Sequence, residues 1–170
     1  MAKFDLFLNK LLRVEGGYSN HKNDRGGCTN KGITLSTYKA FFGSGLNCDD
    51  LKKITDKEVT KIYKEGYWDP CYGDKIACSQ VAYLLVDWAV NSGVKTAVKG
   101  IQELVGARVD GIMGTQTINC INSYYDPKEL FEMLKDAREK YYRDFVKRNP
   151  SQKTFLTGWM NRLDNYKWEE

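Results

Sequence analysis

Phe4, Phe7, Leu8, Leu11 and Val14 recur at steps of three and four, and the run is cut short by Glu15-Gly16-Gly17. That spacing is one apolar face of a helix. The chain therefore opens with a helix that delivers a carboxyl at its C-terminal end, where two glycines stop it. The loop that follows is dense in small and polar residues: Ser19, Asn20, Asn23, Asp24, Gly26, Gly27, Thr29, Asn30, Gly32 and Thr34. An acid at the end of an apolar helix, facing a polar loop that holds a second acid, is a layout suited to acid chemistry.

The same helical spacing governs the rest of the chain. Leu35 to Phe42 reads as a short helix with Thr34 or Ser36 as its N-cap and Gly43-Ser44-Gly45 as its stop. Asp49 to Lys53 adds a turn. Thr55-Asp56-Lys57-Glu58 is a capping box opening a helix through Val59, Ile62 and Tyr63 to Gly66. Tyr67-Trp68-Asp69-Pro70 reads as an aromatic turn, and Val81 to Val90 as the most buried helix, ending at Asn91-Ser92-Gly93. From Val94 the character changes. Val98, Ile101, Gln102, Leu104 and Val105 make an amphipathic helix, Asp110 to Gly114 a tight turn, and Thr115 or Gln116 the start of another helix. Asp126-Pro127-Lys128-Glu129 combines a cap, a proline at the first helical position and an acid at the third, opening the longest helix, which ends near Arg148. A tail with Phe155, Leu156, Trp159, Met160, Leu163 and Tyr166 on one face docks back on the body. Nowhere is there a convincing alternating run of the kind a strand requires. The expectation is an all-α chain, mainly helical, in two parts: 1–92, and a helical part 93–170 packed on it.

Composition narrows the function classes. Basic residues number 26 and acidic residues 22, a net charge of +4 spread along 170 residues. That suits an anionic polymer such as a cell wall and is too weak to argue for nucleic acid. No apolar run approaches the roughly 20 residues of a membrane span, so no stable membrane insertion is expected. The first residues read as a helix rather than a signal peptide. Five cysteines form no C-x-x-C pair, which points to free thiols from a reducing compartment. A single histidine, His21, argues against a zinc amidase and weakens any Cys/His hydrolase built on Cys28.

Glu15 leads the candidates. A glycosidase acid has to hold a proton near neutral pH, and apolar surroundings and the negative pole of a helix C-terminus both disfavour the charged form. The plainer alternative is a surface glutamate ahead of a left-handed glycine cap, although acids are the disfavoured choice in a last helical turn. Asp24 is placed to activate water or stabilise positive charge on a sugar ring, or else it is the turn residue of Asn23-Asp24-Arg25-Gly26. Thr29 and Thr34 are placed to position water or sugar hydroxyls; loop hydrogen bonding and, for Thr34, N-capping are the competing roles. Tyr18, beside Glu15, is the aromatic residue placed to stack on a sugar; Tyr67, Trp68 and Trp88 read as core.

These residues give the chain a resemblance to glycoside hydrolase family 108, the lysozyme-like muramidases. The likeness is carried by Glu15-Gly16-Gly17-Tyr18, by Asp24-x-Gly26-Gly27-x-Thr29-x-x-Gly32-Ile33-Thr34 and by Asp87-x-Ala89-x-Asn91-x-Gly93. The second half, through Gln102-x-Leu104 and Asp110-Gly111-x-x-Gly114-x-x-Thr117, is similar to the predicted peptidoglycan-binding domain that usually follows. By this resemblance Glu15 corresponds to the catalytic glutamate; the further candidates are Asp24 and Thr29 as its catalytic partners and Tyr18, Thr34 and Asn91 as substrate-binding residues. Glu15 and Asp24 also keep the eight-residue interval of phage-type lysozymes, whereas Thr29 follows Asp24 after four residues where those enzymes have five. The implied activity is cleavage of the β-1,4 bond between N-acetylmuramic acid and N-acetylglucosamine in peptidoglycan. The implied fold is lysozyme-like, with no metal or organic cofactor. Family members are associated with lysis or with release of proteins through the wall, and some carry the label secretion activator. A protein of this kind is expected to be made in the cytoplasm and to act on the wall after passing a holin-like export pore. Two rivals stay open: a silent wall-binding module centred on the Asp110 to Thr117 turn, and a lytic transglycosylase, which uses one glutamate and leaves an anhydro sugar.

Overall fold

The computed structural model describes residues 2–20 and 27–169. Its backbone forms two compact units, Phe4–Tyr67 and Met1–Lys3 with Trp68–Glu170. Helices dominate both, as the spacing implied.

The unit Phe4–Tyr67 begins with α1 (Phe4–Val14), which buries Phe4, Phe7, Leu8 and Leu11. Val14, expected on the same face, is exposed because the helix ends there. A two-stranded antiparallel hairpin follows, β1 (Thr29–Asn30) and β2 (Ile33–Thr34), with Thr29 opposite Thr34 and Asn30 opposite Ile33. Two residues per strand are too few to show alternation in a sequence, so the hairpin was not visible there. Its turn, Lys31-Gly32, has φ of +49° and +76°. Positive φ at both central residues matches the right-handed twist of the strands. Next come α2 (Leu35–Phe42), α3 (Cys48–Lys52) and α4 (Asp56–Tyr63). Thr34 caps α2, Asn47 and Asp50 form a capping box on α3, and Thr55 and Glu58 form the expected one on α4. Instead of stopping at Gly66 in an aromatic turn, the chain continues from α4 into a π-helical turn, Lys64–Trp68.

The free-thiol expectation fails in this unit. Cys28 and Cys48 form a disulfide with their Cα atoms 5.9 Å apart, joining the start of β1 to the start of α3. Twenty residues separate them, and sequence alone does not show that the hairpin doubles back onto α3. Cys71, Cys78 and Cys120 remain thiols, and burial pushes Cys71 up to about 12.

The other unit packs α5 (Ser79–Ser92), α6 (Val94–Leu104), α8 (Pro127–Arg148) and α9 (Lys153–Asp164) against one another, with α7 (Thr115–Asn122) between α6 and α8 in the chain. The Asp126 side chain accepts from the backbone N–H groups of Lys128 and Glu129 at 2.9 and 3.2 Å, starting α8 as the sequence indicated. On α9, Leu163 is buried while Phe155 is half exposed, so its apolar stripe is only partly covered.

Two polar centres fix this unit. Gln102, buried in α6, donates to Asp110, to the Ile112 carbonyl and to Thr117 at 3.0–3.1 Å, and accepts from the Gly111 N–H at 2.9 Å. The Asp110–Thr117 segment is thus shaped by one amide side chain. Gly111 at φ +78° lies so near Lys95 that a Cβ would meet its backbone carbonyl at 3.2 Å. The second centre is Asp87 on α5, fully buried, which binds Arg138 of α8 at 2.7 Å and Arg162 of α9 at 2.8 Å. Burial pushes the Asp87 carboxyl up, but the two guanidinium groups outweigh it and hold it below the usual carboxylate range.

Removing Asp87 leaves buried arginine charge without its counterion, a change that typically costs about 3–5 kcal/mol. Asp87→Ala is expected to lose that much stability in urea unfolding; a loss under about 1 kcal/mol would show that the ion pair does not hold the helices. Because the folded carboxyl titrates below its unfolded value of about 3.9, its contribution is complete above about pH 4 and falls away as pH drops through the folded value. The acid limb of the stability curve is therefore expected to be flatter in Asp87→Ala.

Candidate active site

Glu15 sits one residue past α1, half-buried, its N–H still bonded to the Leu11 carbonyl at 3.1 Å. Its carboxyl lies against the hairpin turn. A Cβ built on Gly32 would overlap Glu15 Oε2 and Cδ and would stand 2.7 Å from the Tyr63 hydroxyl. Only glycine satisfies both demands at this position: a left-handed backbone and no side chain where the carboxylate rests.

The turn is anchored from α4. The Tyr63 hydroxyl donates to the Lys31 carbonyl at 2.7 Å, and Lys31 Nζ binds Asp56 at 2.7 Å. The floor beneath Glu15 is thus held from both ends of α4, by Asp56 at its start and Tyr63 at its close. Tyr67, four residues after Tyr63 with ring centroids 6.0 Å apart, completes the surround. Burial raises the Tyr67 hydroxyl, a hydrogen bond with Thr37 lowers it, and the nearby Glu15 carboxylate raises it again. Tyr63, Tyr67 and Thr37 are the site residues that sequence reasoning missed. For the two tyrosines the signal was their four-residue interval, which sets both on one helix face; Thr37 carried none.

The other candidates distribute as follows. Thr29 exchanges two 2.8 Å backbone hydrogen bonds with Ser19, tying the segment after Glu15 to β1. As cross-strand partners, Thr29 and Thr34 share one face of the hairpin, both half-buried, while Asn30 and Ile33 are buried on the other. Asn30 uses that face to donate to the Leu51 and Lys52 carbonyls at 3.0 and 3.2 Å, closing α3. Thr34 is engaged as a cap: its hydroxyl accepts from the Thr37 N–H at 3.2 Å and lies 3.0 Å from the Thr37 hydroxyl. Tyr18 is half-buried with Lys52 Nζ 5.3 Å over its ring. Asn91 belongs to the other unit, at the end of α5, where it accepts from the Tyr142 hydroxyl at 2.6 Å. Asp24 lies outside the described residues, as does His21.

Among the described residues the site sets one carboxyl against a glycine backbone beside the Tyr63 hydroxyl, with Tyr67 close enough to feel its charge and a threonine-bearing strand pair alongside. That arrangement suits proton delivery to an oxygen leaving group. Among the described residues no three His, Cys, Asp or Glu side chains cluster to hold a metal, and no helix is long and apolar enough to cross a membrane.

Comparison with known proteins fits this picture. Residues 8–93 match the family Glycosyl hydrolase 108, and residues 96–164 match the family Predicted Peptidoglycan domain. Among solved structures, Brucella abortus SagA is 32% identical, with 96% of this chain and 90% of that one covered and a TM-score of 0.85. No curated protein matches the sequence. Glu15, Gly32 and Tyr63 all fall within the first matched segment, and Gln102 and its turn within the second. The chain belongs to the glycosyl hydrolase 108 family and is a mainly helical, lysozyme-like peptidoglycan hydrolase.

Proposed function

We propose that the enzyme is an N-acetylmuramidase, cleaving the β-1,4 bond between N-acetylmuramic acid and N-acetylglucosamine with Glu15 as the proton donor to the leaving oxygen. The observation that carries this reading is the seating of the Glu15 carboxyl against Gly32 and Tyr63, a fixed position for an acid. In the proposal Asp24 activates water or balances positive charge on the ring, on the strength of its eight-residue interval from Glu15. Thr29 assists from the half-buried hairpin face. Tyr18 and Asn91 contact the glycan, and so does Thr34 through whatever capacity its cap leaves. The division of labour runs at 1–92 for catalysis and 93–170 for wall recognition, which the matched segments 8–93 and 96–164 support. The place of action is the wall, reached from the cytoplasm through a holin-like pore. The Cys28–Cys48 disulfide suits work on the oxidising side of the membrane.

Digestion of purified peptidoglycan with mass spectrometry of the soluble fragments tests the reaction. The wild type is expected to release muropeptides ending in intact reducing N-acetylmuramic acid; anhydro ends would make it a lytic transglycosylase instead. Glu15→Gln is expected to lose between about 10²- and 10⁴-fold in rate while keeping its melting temperature. Substantial activity in that variant would remove Glu15 from the role.

Gly32 supplies a separate test of position. A methyl group at residue 32 has to displace the carboxyl, and a shift of about 1 Å can cost about 10²-fold. Gly32→Ala is expected to lose activity on that scale and a few degrees in melting temperature from its left-handed backbone. Wild-type turnover by Gly32→Ala would mean that the close approach is irrelevant to catalysis.

A further inference from the structure

Within the unit that begins at Trp68, a cavity of about 260 Å³ is lined by Asn91, Ser92, Tyr141, Tyr142, Phe145 and Trp159. Four of these six are aromatic. Trp159 lies 5.3 Å from Tyr142 at 30° and 5.9 Å from Phe145 at 67°, while Tyr141 stacks on Phe145 at 6.1 Å. The walls are therefore flat, rigid apolar faces. The volume falls below the roughly 300 Å³ at which drug-sized sites begin, room for one ring rather than a chain.

The polar end is Asn91, and a relay fixes its orientation. Buried Arg138, paired with Asp87, donates from Nε to the Tyr142 oxygen at 2.8 Å. With that oxygen already accepting, the Tyr142 hydrogen goes to Asn91 Oδ1 at 2.6 Å. The amide is thus locked with its oxygen toward Tyr142. Among the described residues its Nδ2 makes no hydrogen bond. Each donor in such a chain polarises the next, which strengthens Asn91 Nδ2 as a donor. An oriented amide donor beside aromatic faces selects a ligand with a carbonyl acceptor attached to a small, partly apolar ring.

We propose that this cavity binds one N-acetylhexosamine ring of the glycan, with its acetamido carbonyl on Asn91 Nδ2 and its apolar surface against Trp159. The ligand class rests on the muramidase reading above, but binding here requires no cleavage. Tyr141, Tyr142, Phe145 and Trp159 all lie in the matched peptidoglycan segment, so the site gives that segment a defined contact.

The test is a ¹H–¹⁵N NMR titration of the full-length Glu15→Gln protein with triacetylchitotriose and with cellotriose, which has the same linkage but no acetamido groups. The Asn91 side-chain amide and the Trp159 indole N–H are expected to shift saturably with triacetylchitotriose, and cellotriose is expected to bind about tenfold more weakly. Asn91→Asp keeps an acceptor for Tyr142 and removes the donor, and is expected to lose about tenfold in affinity for triacetylchitotriose. Silence at Asn91 and Trp159, or equal response to both sugars, overturns the proposal even if Asn91→Asp fails to fold. If the cavity stays silent while wild type releases muropeptides, this proposal alone fails. If the cavity titrates and no muropeptides appear, the muramidase reading alone fails.

Discussion

The candidate site depends on one close approach, the Glu15 carboxyl against the Cα of Gly32. A helix can carry an acid to its last turn, but the glycines after it leave the residue free to point anywhere. What removes that freedom is a surface brought up against it from a distant part of the chain. The hairpin turn provides the surface, because two left-handed residues fold it tightly enough to present bare backbone. Tyr63 and Asp56 hold the turn by its carbonyl and its lysine, and the Ser19–Thr29 bridge returns the chain after Glu15 to the same strand. The acid is positioned by loop closure rather than by its own helix.

The second unit solves a different problem, how to join several helices with little strand structure to set their register. Asp87 meets arginines from α8 and α9, an arrangement that opposes any sliding of one helix past another. A buried ion pair is weak evidence for net stability, since desolvation offsets most of the Coulomb gain. Its effect is on which packing is allowed, because any other register leaves a charge buried and unmatched. The same arginine then feeds the Tyr142–Asn91 relay, so the groups that set helix register also set an amide facing a cavity.

Much of the fold was legible because helices announce themselves locally. Thr55 with Glu58, Asp126 with Pro127, and Thr34 before Leu35 each stated a helix start within four residues, and the structure uses all three. The hairpin was illegible for the opposite reason. Its strands have two residues each, and its shape comes from backbone angles at Lys31 and from contacts with α4, neither of which has a periodicity. The disulfide was missed on the same account, since pairing Cys28 with Cys48 requires knowing where that hairpin lies. Of the candidate site, the position of Glu15 at the end of an apolar face was readable. Tyr63 and Tyr67 looked like ordinary core aromatics, because only the tertiary structure shows their hydroxyls meeting a polar turn and a carboxyl.

The motif letters that carried the resemblance now separate by physical role. In the proposed reading Glu15 is the acid, while Gly32 makes room for its carboxyl by having no side chain. Asp87, taken by its type alone, would pass for a second catalytic carboxylate; two guanidinium groups occupy it completely, and its work is to fix helices. Gln102, Asp110, Gly111 and Thr117 form one hydrogen-bonded cluster that sets the shape of a turn. Asn91 is the exception. It has one half of its amide committed to Tyr142 and the other half uncommitted among the described residues, in a cavity with aromatic walls. A polar residue whose partners are all internal explains a fold. One that is oriented by the fold and still has a donor to give is where recognition can act.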